Sequence, residues 1–261
     1  MEFAGKWTAS VMHALAVALR RRGHYTRAVR LHRAATASAR RGVTAHQMVA
    51  LLNEHGVACK HAGYFDEAEA AYQRALALAE TAEQRAVLEH NLGGLAHARG
   101  DMAAAEPHAR RALDLRRSAL GPDHPDVAVE LAALAPILHG LGRLDEAEAM
   151  LRRVLVILGH DHPESGFALG NLGALLQETG RLGEAATRYE EALAIKRRLL
   201  GARHPDVAIT LNNLGLLRLR QGRAEEAEAL LDCALEIMRR HLAPDHPARL
   251  ACATTRAQVR R

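Results

Sequence analysis

The side chains in this sequence best suited to chemistry are its 16 histidines and 3 cysteines. His55 and Cys59 stand four residues apart, which puts an imidazole and a thiol on one helical face and so begins a metal site. His90, His97 and His139 form a second set that could share one surface. Neither set closes by spacing. Zinc holds its ligands within about 2.3 Å of one point, whereas seven residues along a helix span about 10 Å. Four further histidines, His124, His162, His204 and His246, each precede a proline and belong to a repeated link. The expectation is packed or solvated histidines, with no metal and no other cofactor.

No catalytic constellation accompanies them. Serine is scarce, and no Gly-rich loop runs into a helix carrying Lys-Ser or Lys-Thr. There is no His-Glu-x-x-His and no Cys-x-x-Cys. Acid pairs such as Asp66-Glu67, Asp145-Glu146 and Glu225-Glu226 fall at helix starts, where the helix dipole favours them. The chain reads as non-enzymatic. A metal- or small-molecule-binding enzyme is the weakest alternative.

The elements that must carry these side chains are helical. Apolar residues are 49% of the 261, but aromatics only 3%. Ala and Leu supply the rest and favour helix, while β-branched residues are too sparse for a sheet protein. Without aromatics, a single core of this size would be hard to fill. No apolar run reaches the ~18 residues of a membrane span. The run Val11–Leu19 contains His13 and is followed, not preceded, by Arg20-Arg21-Arg22, so it is not a secretory signal. Three distant cysteines imply a reduced, cytoplasmic protein.

The net charge of +5 is unevenly spread. Residues 1–48 carry +8 and residues 238–261 carry +5, around a body of −8. Solvated terminal helices are the plain reading. An acidic partner at the Arg-rich start is the sharper one, and nucleic acid the weaker form of it.

A repeat organises the chain. Gly23, Gly63, Gly100, Gly142, Gly180 and Gly222 follow one another at 40, 37, 42, 38 and 42 residues. Five residues after each stands an alanine: Ala28, Ala68, Ala105, Ala147, Ala185 and Ala227. Asn91-Leu92-Gly93, Asn171-Leu172-Gly173 and Asn213-Leu214-Gly215 recur upstream in the same frame. Each unit reads as two helices joined at the glycine, with small residues permitting their close approach. Leu182, Ala185, Tyr189 and Ala192 share one face of a second helix. Four His-Pro links punctuate the frame at His124-Pro125, His162-Pro163, His204-Pro205 and His246-Pro247; proline suits a first helical turn.

This pattern resembles the tetratricopeptide repeat, in the 42-residue variety of kinesin light chains and bacterial regulators. The resemblance covers about 90% of the chain. It implies an all-α fold: an α-solenoid, a right-handed superhelix of about six helix-turn-helix units in a single domain over 1–261. The units fall at about 9–42, 49–82, 86–119, 128–161, 166–199 and 208–241, with a cap helix at 248–261. The first unit departs, with Ala16 for glycine and His32 for an aromatic; Trp7 and Phe3 would cover its open edge. Pro136 inside a first helix should kink it, with irregularity expected over 136–165.

The resemblance also implies that first helices line a concave groove holding a peptide or partner protein. Carried over by repeat position, groove residues are Arg20 (with Arg21) in the first unit, and Asn53, Lys60 and His61 in the second. The third contributes His90, Asn91 and His97, and the fourth His139. Asn171 and Gln177 (with Phe167 and Glu178) follow, then Asn212, Asn213 and Arg220. Asn91, Asn171 and Asn213 share one repeat position, like the asparagine row of peptide-binding members. An amide can both donate to and accept from a peptide backbone, and the bases favour carboxylates. The expected function is an interaction scaffold for a protein or peptide ligand, with an acidic one favoured. The alternative is the sensing component of a bacterial signalling or transcription-control system. Oligomeric state stays open.

Overall fold

The structure, a computed structural model, describes residues 2–39, 43–241, 244 and 246–259, and the side chains of 2–8 and 247 lie outside that description. The covering role expected of Phe3 and Trp7 therefore falls outside the described residues. Every regular element among those described is an α-helix.

Contacts divide the chain into two compact units, Met1–Leu141 and Gly142–Arg261. The first holds α1 (Glu2–Arg21), α2 (Tyr25–Ser38), α3 (Ala45–His61), α4 (Phe65–Leu78), α5 (Ala82–Ala98), α6 (Met102–Leu120) and α7 (Pro125–Gly140). The second holds α8 (Leu144–Leu158), α9 (Pro163–Glu178), α10 (Leu182–Leu200), α11 (Pro205–Arg220), α12 (Ala224–His241) and α13 (Pro247–Gln258). Helices pair as antiparallel neighbours in sequence, α1 with α2, α3 with α4, α5 with α6, α9 with α10 and α11 with α12. The fourth repeat contributes one helix to each unit. This is an all-α solenoid.

The sequence starts six of these helices by two devices. At α7, α9, α11 and α13 the proline is the first helical residue, and the histidine before it is the N-cap. Its Nδ1 accepts the backbone N–H two residues on: Asp126 at 3.1 Å, Glu164 at 3.2 Å, Asp206 at 3.2 Å and Ala248 at 3.2 Å. The link histidines thus take the place of Ser or Asp at a cap. At α3 and α5 a Thr-x-x-Gln capping box does the same work, Thr44 with Gln47 and Thr81 with Gln84. These caps open both helices four residues ahead of the repeat frame.

Within pairs, packing is close. The ring of Tyr189 lies on Gly173, where an added Cβ would meet it at 2.8 Å, and Tyr72 lies on Gly56 in the same way. Both tyrosines are buried, with Ala68, Ala75, Ala185 and Ala192 around them at 0% exposure. Helix α7 runs unbroken through Pro136, the residue at which a kink is expected. Between second helices, long side chains bridge the gap: Arg33 of α2 to Glu67 of α4, and Arg181 at the start of α10 to Glu148 of α8, at 2.9 Å. Arg152 of α8 reaches Glu184 of α10 at 3.8 Å.

Candidate interaction groove

In each unit the first helices of successive pairs touch: α1 with α3, α3 with α5 and α5 with α7, then α9 with α11 and α11 with α13. Second helices make no such contact with one another among the described residues. First helices are therefore the inner layer of each unit, and the residues carried over by repeat position all stand on them.

In the first unit, Arg20 donates from Nε to Glu54 at 3.1 Å. Asn91 donates to the side-chain oxygen of Asn53 at 2.7 Å, joining α5 to α3. Lys60 is half-buried beside Gly94 and forms no ion pair among the described residues; burial holds its pKa below the usual lysine range. His61 is exposed and stacks on Tyr25 with ring centres 5.0 Å apart. His90 bonds through Nδ1 to buried Glu130 at 2.8 Å. His90, His97 and Glu130 share the wall of a cavity of about 170 Å³ that does not include His139. The imagined trio of histidines is thus a pair with a carboxylate, and His139 stands apart at the end of α7.

In the second unit, Asn171 is exposed, and no hydrogen bond joins it to Asn213 among the described residues. Asn212 reaches the side-chain oxygen of its neighbour Asn213 at 3.5 Å. Arg220 donates to the backbone carbonyl of Gln177 at 3.3 Å. Gln177, Asn213 and Arg220 meet Tyr189 around an open depression of about 440 Å³. The asparagine row is present by position, but the amide contact between repeats is that of Asn91 with Asn53, one position out of register.

Spacing along single helices missed the groups that come together between helices. Glu67, at the start of α4, faces the His55–Cys59 pair of α3. His55 Nε2 lies 3.0 Å from Glu67 Oε1 and 3.6 Å from Cys59 Sγ. Arg33 holds both oxygens of the same carboxylate. Its hydrogen bond keeps the Glu67 pKa below the usual carboxylate value. Burial, partly opposed by Glu67, lowers that of His55. Burial, with Glu67 adding to it, pushes the Cys59 thiol up to about 12. His32, fully buried, is held down to about 3 by burial first and then by the charges of His13 and His55. Lys196, also buried, donates to Thr210 at 3.1 Å and stands 4.6 Å above the Phe167 ring. Only an amphipathic count that crossed helix pairs could have found these partners. Of the acid pairs at helix starts, Glu226 is bound up with Arg223, whereas Glu67 also meets the His55–Cys59 pair.

Comparison with known proteins agrees with this architecture. One solved structure of similar fold is BtubC (BKLC) from P. vanneervenii, 23% identical with a TM-score of 0.67, covering 88% of this chain and 95% of that one. A kinesin-light-chain repeat protein of Podosopora anserina is 24% identical, with a TM-score of 0.58 over 69% of this chain and 87% of that one. A STAND protein with a tetratricopeptide-repeat sensor from Pyrococcus horikoshii matches 96% of this chain with 38% of its own, at 13% identity and a TM-score of 0.75. Among curated protein sequences none matches. No helix among the described residues is long and apolar enough to cross a membrane. Tetratricopeptide-repeat models match residues 8–43 and 51–86, and one of them matches 84–158, 155–198, 164–240 and 206–261. The chain belongs to the tetratricopeptide-repeat family.

Proposed function

We propose that this chain is a non-enzymatic scaffold that holds a peptide or partner protein against its first-helix layer. The observation that carries this is the inner layer itself. It presents amides and imidazoles, with one ammonium, Lys60, that no acid neutralises among the described residues. An acidic segment fits that charge, since a carboxylate would form the missing pair. In the second unit, the amides of Asn171 and Asn213 suit the backbone of such a ligand. Affinity capture from the source cell, run beside an Asn171→Ala, Asn213→Ala variant, tests it. The variant should keep its helix content and lose the partner. Retention of every partner by the variant would sink the reading. A sensing role in a multi-chain regulatory system is a second reading, supported by the fold shared with the Pyrococcus horikoshii repeat sensor. Capture of a nucleotide- or DNA-binding protein would distinguish it.

A further inference from the structure

We propose that His55, Cys59 and Glu67 form a binding site for a zinc-class divalent cation, with a fourth position left open to solvent. Their donor atoms, one nitrogen, one sulfur and one oxygen, all lie within 4.8 Å of one another. Ligands held 2.0–2.3 Å from a tetrahedral zinc stand roughly 3–4 Å apart. The pair His55 Nε2 and Cys59 Sγ, at 3.6 Å, already has that separation, and Nε2 to Glu67 Oε1, at 3.0 Å, is close to it. The two ligands of α3 are fixed by their four-residue spacing. The third comes from the first turn of α4, so an ion here would clasp one helix to its partner.

Packing alone does not call for these side chains. The corresponding positions of α9 are Leu172 and Leu176, both buried. A leucine pair fills that layer without unmade hydrogen bonds. Here, His55 Nδ1 and both ring nitrogens of His32 are buried with no partner. The two rings are 6.0 Å apart. Buried polar groups left unpaired cost stability, so these rings are not explained by packing. Access exists as well. A cavity of about 250 Å³ has His55, Glu67 and Arg33 in its wall and leaves room for the fourth ligand.

The charge and proton balance closes. Cys59 gives up its thiol proton to solvent on ligation. The His55 proton moves from Nε2 to Nδ1, so one proton is released per ion bound. Arg33, whose side chain is half-exposed, keeps its contact with Glu67 Oε2 while Oε1 turns to the metal. Nitrogen, sulfur and oxygen together suit zinc, and equally cobalt as its spectroscopic substitute.

The test is a Co²⁺ titration of untagged, EDTA-treated full-length protein, followed by Zn²⁺ displacement. One equivalent of Co²⁺ should give a thiolate-to-cobalt charge-transfer band and tetrahedral visible bands, and Zn²⁺ should abolish both. Cys59→Ser should remove the charge-transfer band. Glu67→Gln, at a half-exposed residue, should weaken binding about tenfold or more. Cys233→Ser, which changes the exposed cysteine of α12, should bind as the parent does. Far-UV circular dichroism on each variant separates lost ligation from lost fold. A parent with no charge-transfer band overturns the proposal. So does a band that survives Cys59→Ser, or unchanged affinity in Glu67→Gln.

Discussion

Gly173 lies directly under the ring of Tyr189, and a methyl group added to it would stand 2.8 Å from two ring carbons. That distance is inside van der Waals contact, so the ring or the helix must move. Gly173→Ala is expected to destabilise the fold by roughly 1–3 kcal/mol, the usual cost of overpacking. Urea denaturation measures it. Adding Tyr189→Leu should return part of the loss, because the two changes share one contact. Equal stability of Gly173→Ala and parent would show that the glycine is not there for the approach.

The link histidines make a different prediction. His204 accepts the Asp206 N–H as the N-cap of α11. His204→Ala should cost about 1 kcal/mol, as loss of an N-cap does. His204→Asn should restore most of it, since asparagine caps equally well. Thermal melts of the three proteins decide the matter, and a similar loss in Asn and Ala variants would contradict the capping role.

Asn53 and Asn91 can be tested by a double-mutant cycle. Their bond spans two repeats and is half-buried. Each single alanine substitution leaves a partner unpaired. The double variant should therefore lose less than the sum of the singles, with a coupling of about 0.5–1.5 kcal/mol. Additive losses would mean that solvent satisfies both amides equally well.

Tyr189 supplies a pH dependence. Burial raises its pKa from 10 to about 12, against a smaller opposing effect of Arg220. The folded state therefore favours the neutral phenol. That contribution is whole below pH 10 and is lost as the pH climbs from 10 toward 12. Tyr189→Phe has no such group. Relative to the phenylalanine variant, the parent should lose about 2–3 kcal/mol across this window. Denaturant midpoints of both proteins at pH 8 and pH 11.5 check it; parallel changes would refute it.

Much of the fold was legible in the residues themselves. Small residues at fixed offsets, one turn glycine per unit and His-Pro links place the helix pairs and the last helix, because each unit folds by local rules. The glycine at 180 adopts the positive φ that its place between helices demands, +80°. The early starts of α3 and α5 were less visible, since Thr44 and Thr81 lie outside the repeat frame. Contacts between helices were hardest. Glu67 looked like a dipole acid at a helix start, and it is one, yet its carboxylate also meets His55 and Arg33 from two other helices. Arg218 follows Leu211 and Leu214 on the apolar face of α11. It is buried and reaches Glu190 of α10. Such pairings depend on which faces meet across a pair, and no single-helix periodicity carries that information.

The two sides of each unit are joined by different means. Inner helices approach backbone to backbone and are joined by half-buried contacts such as Asn91–Asn53 and His90–Glu130, while outer ones are tethered by arginine arms such as Arg33–Glu67 and Arg181–Glu148. Half-buried contacts are little screened by dissolved ions, whereas exposed charge pairs weaken as salt shortens the reach of their field. Each unit therefore has a rigid spine and an elastic back, and ionic strength acts as the tension on its bend.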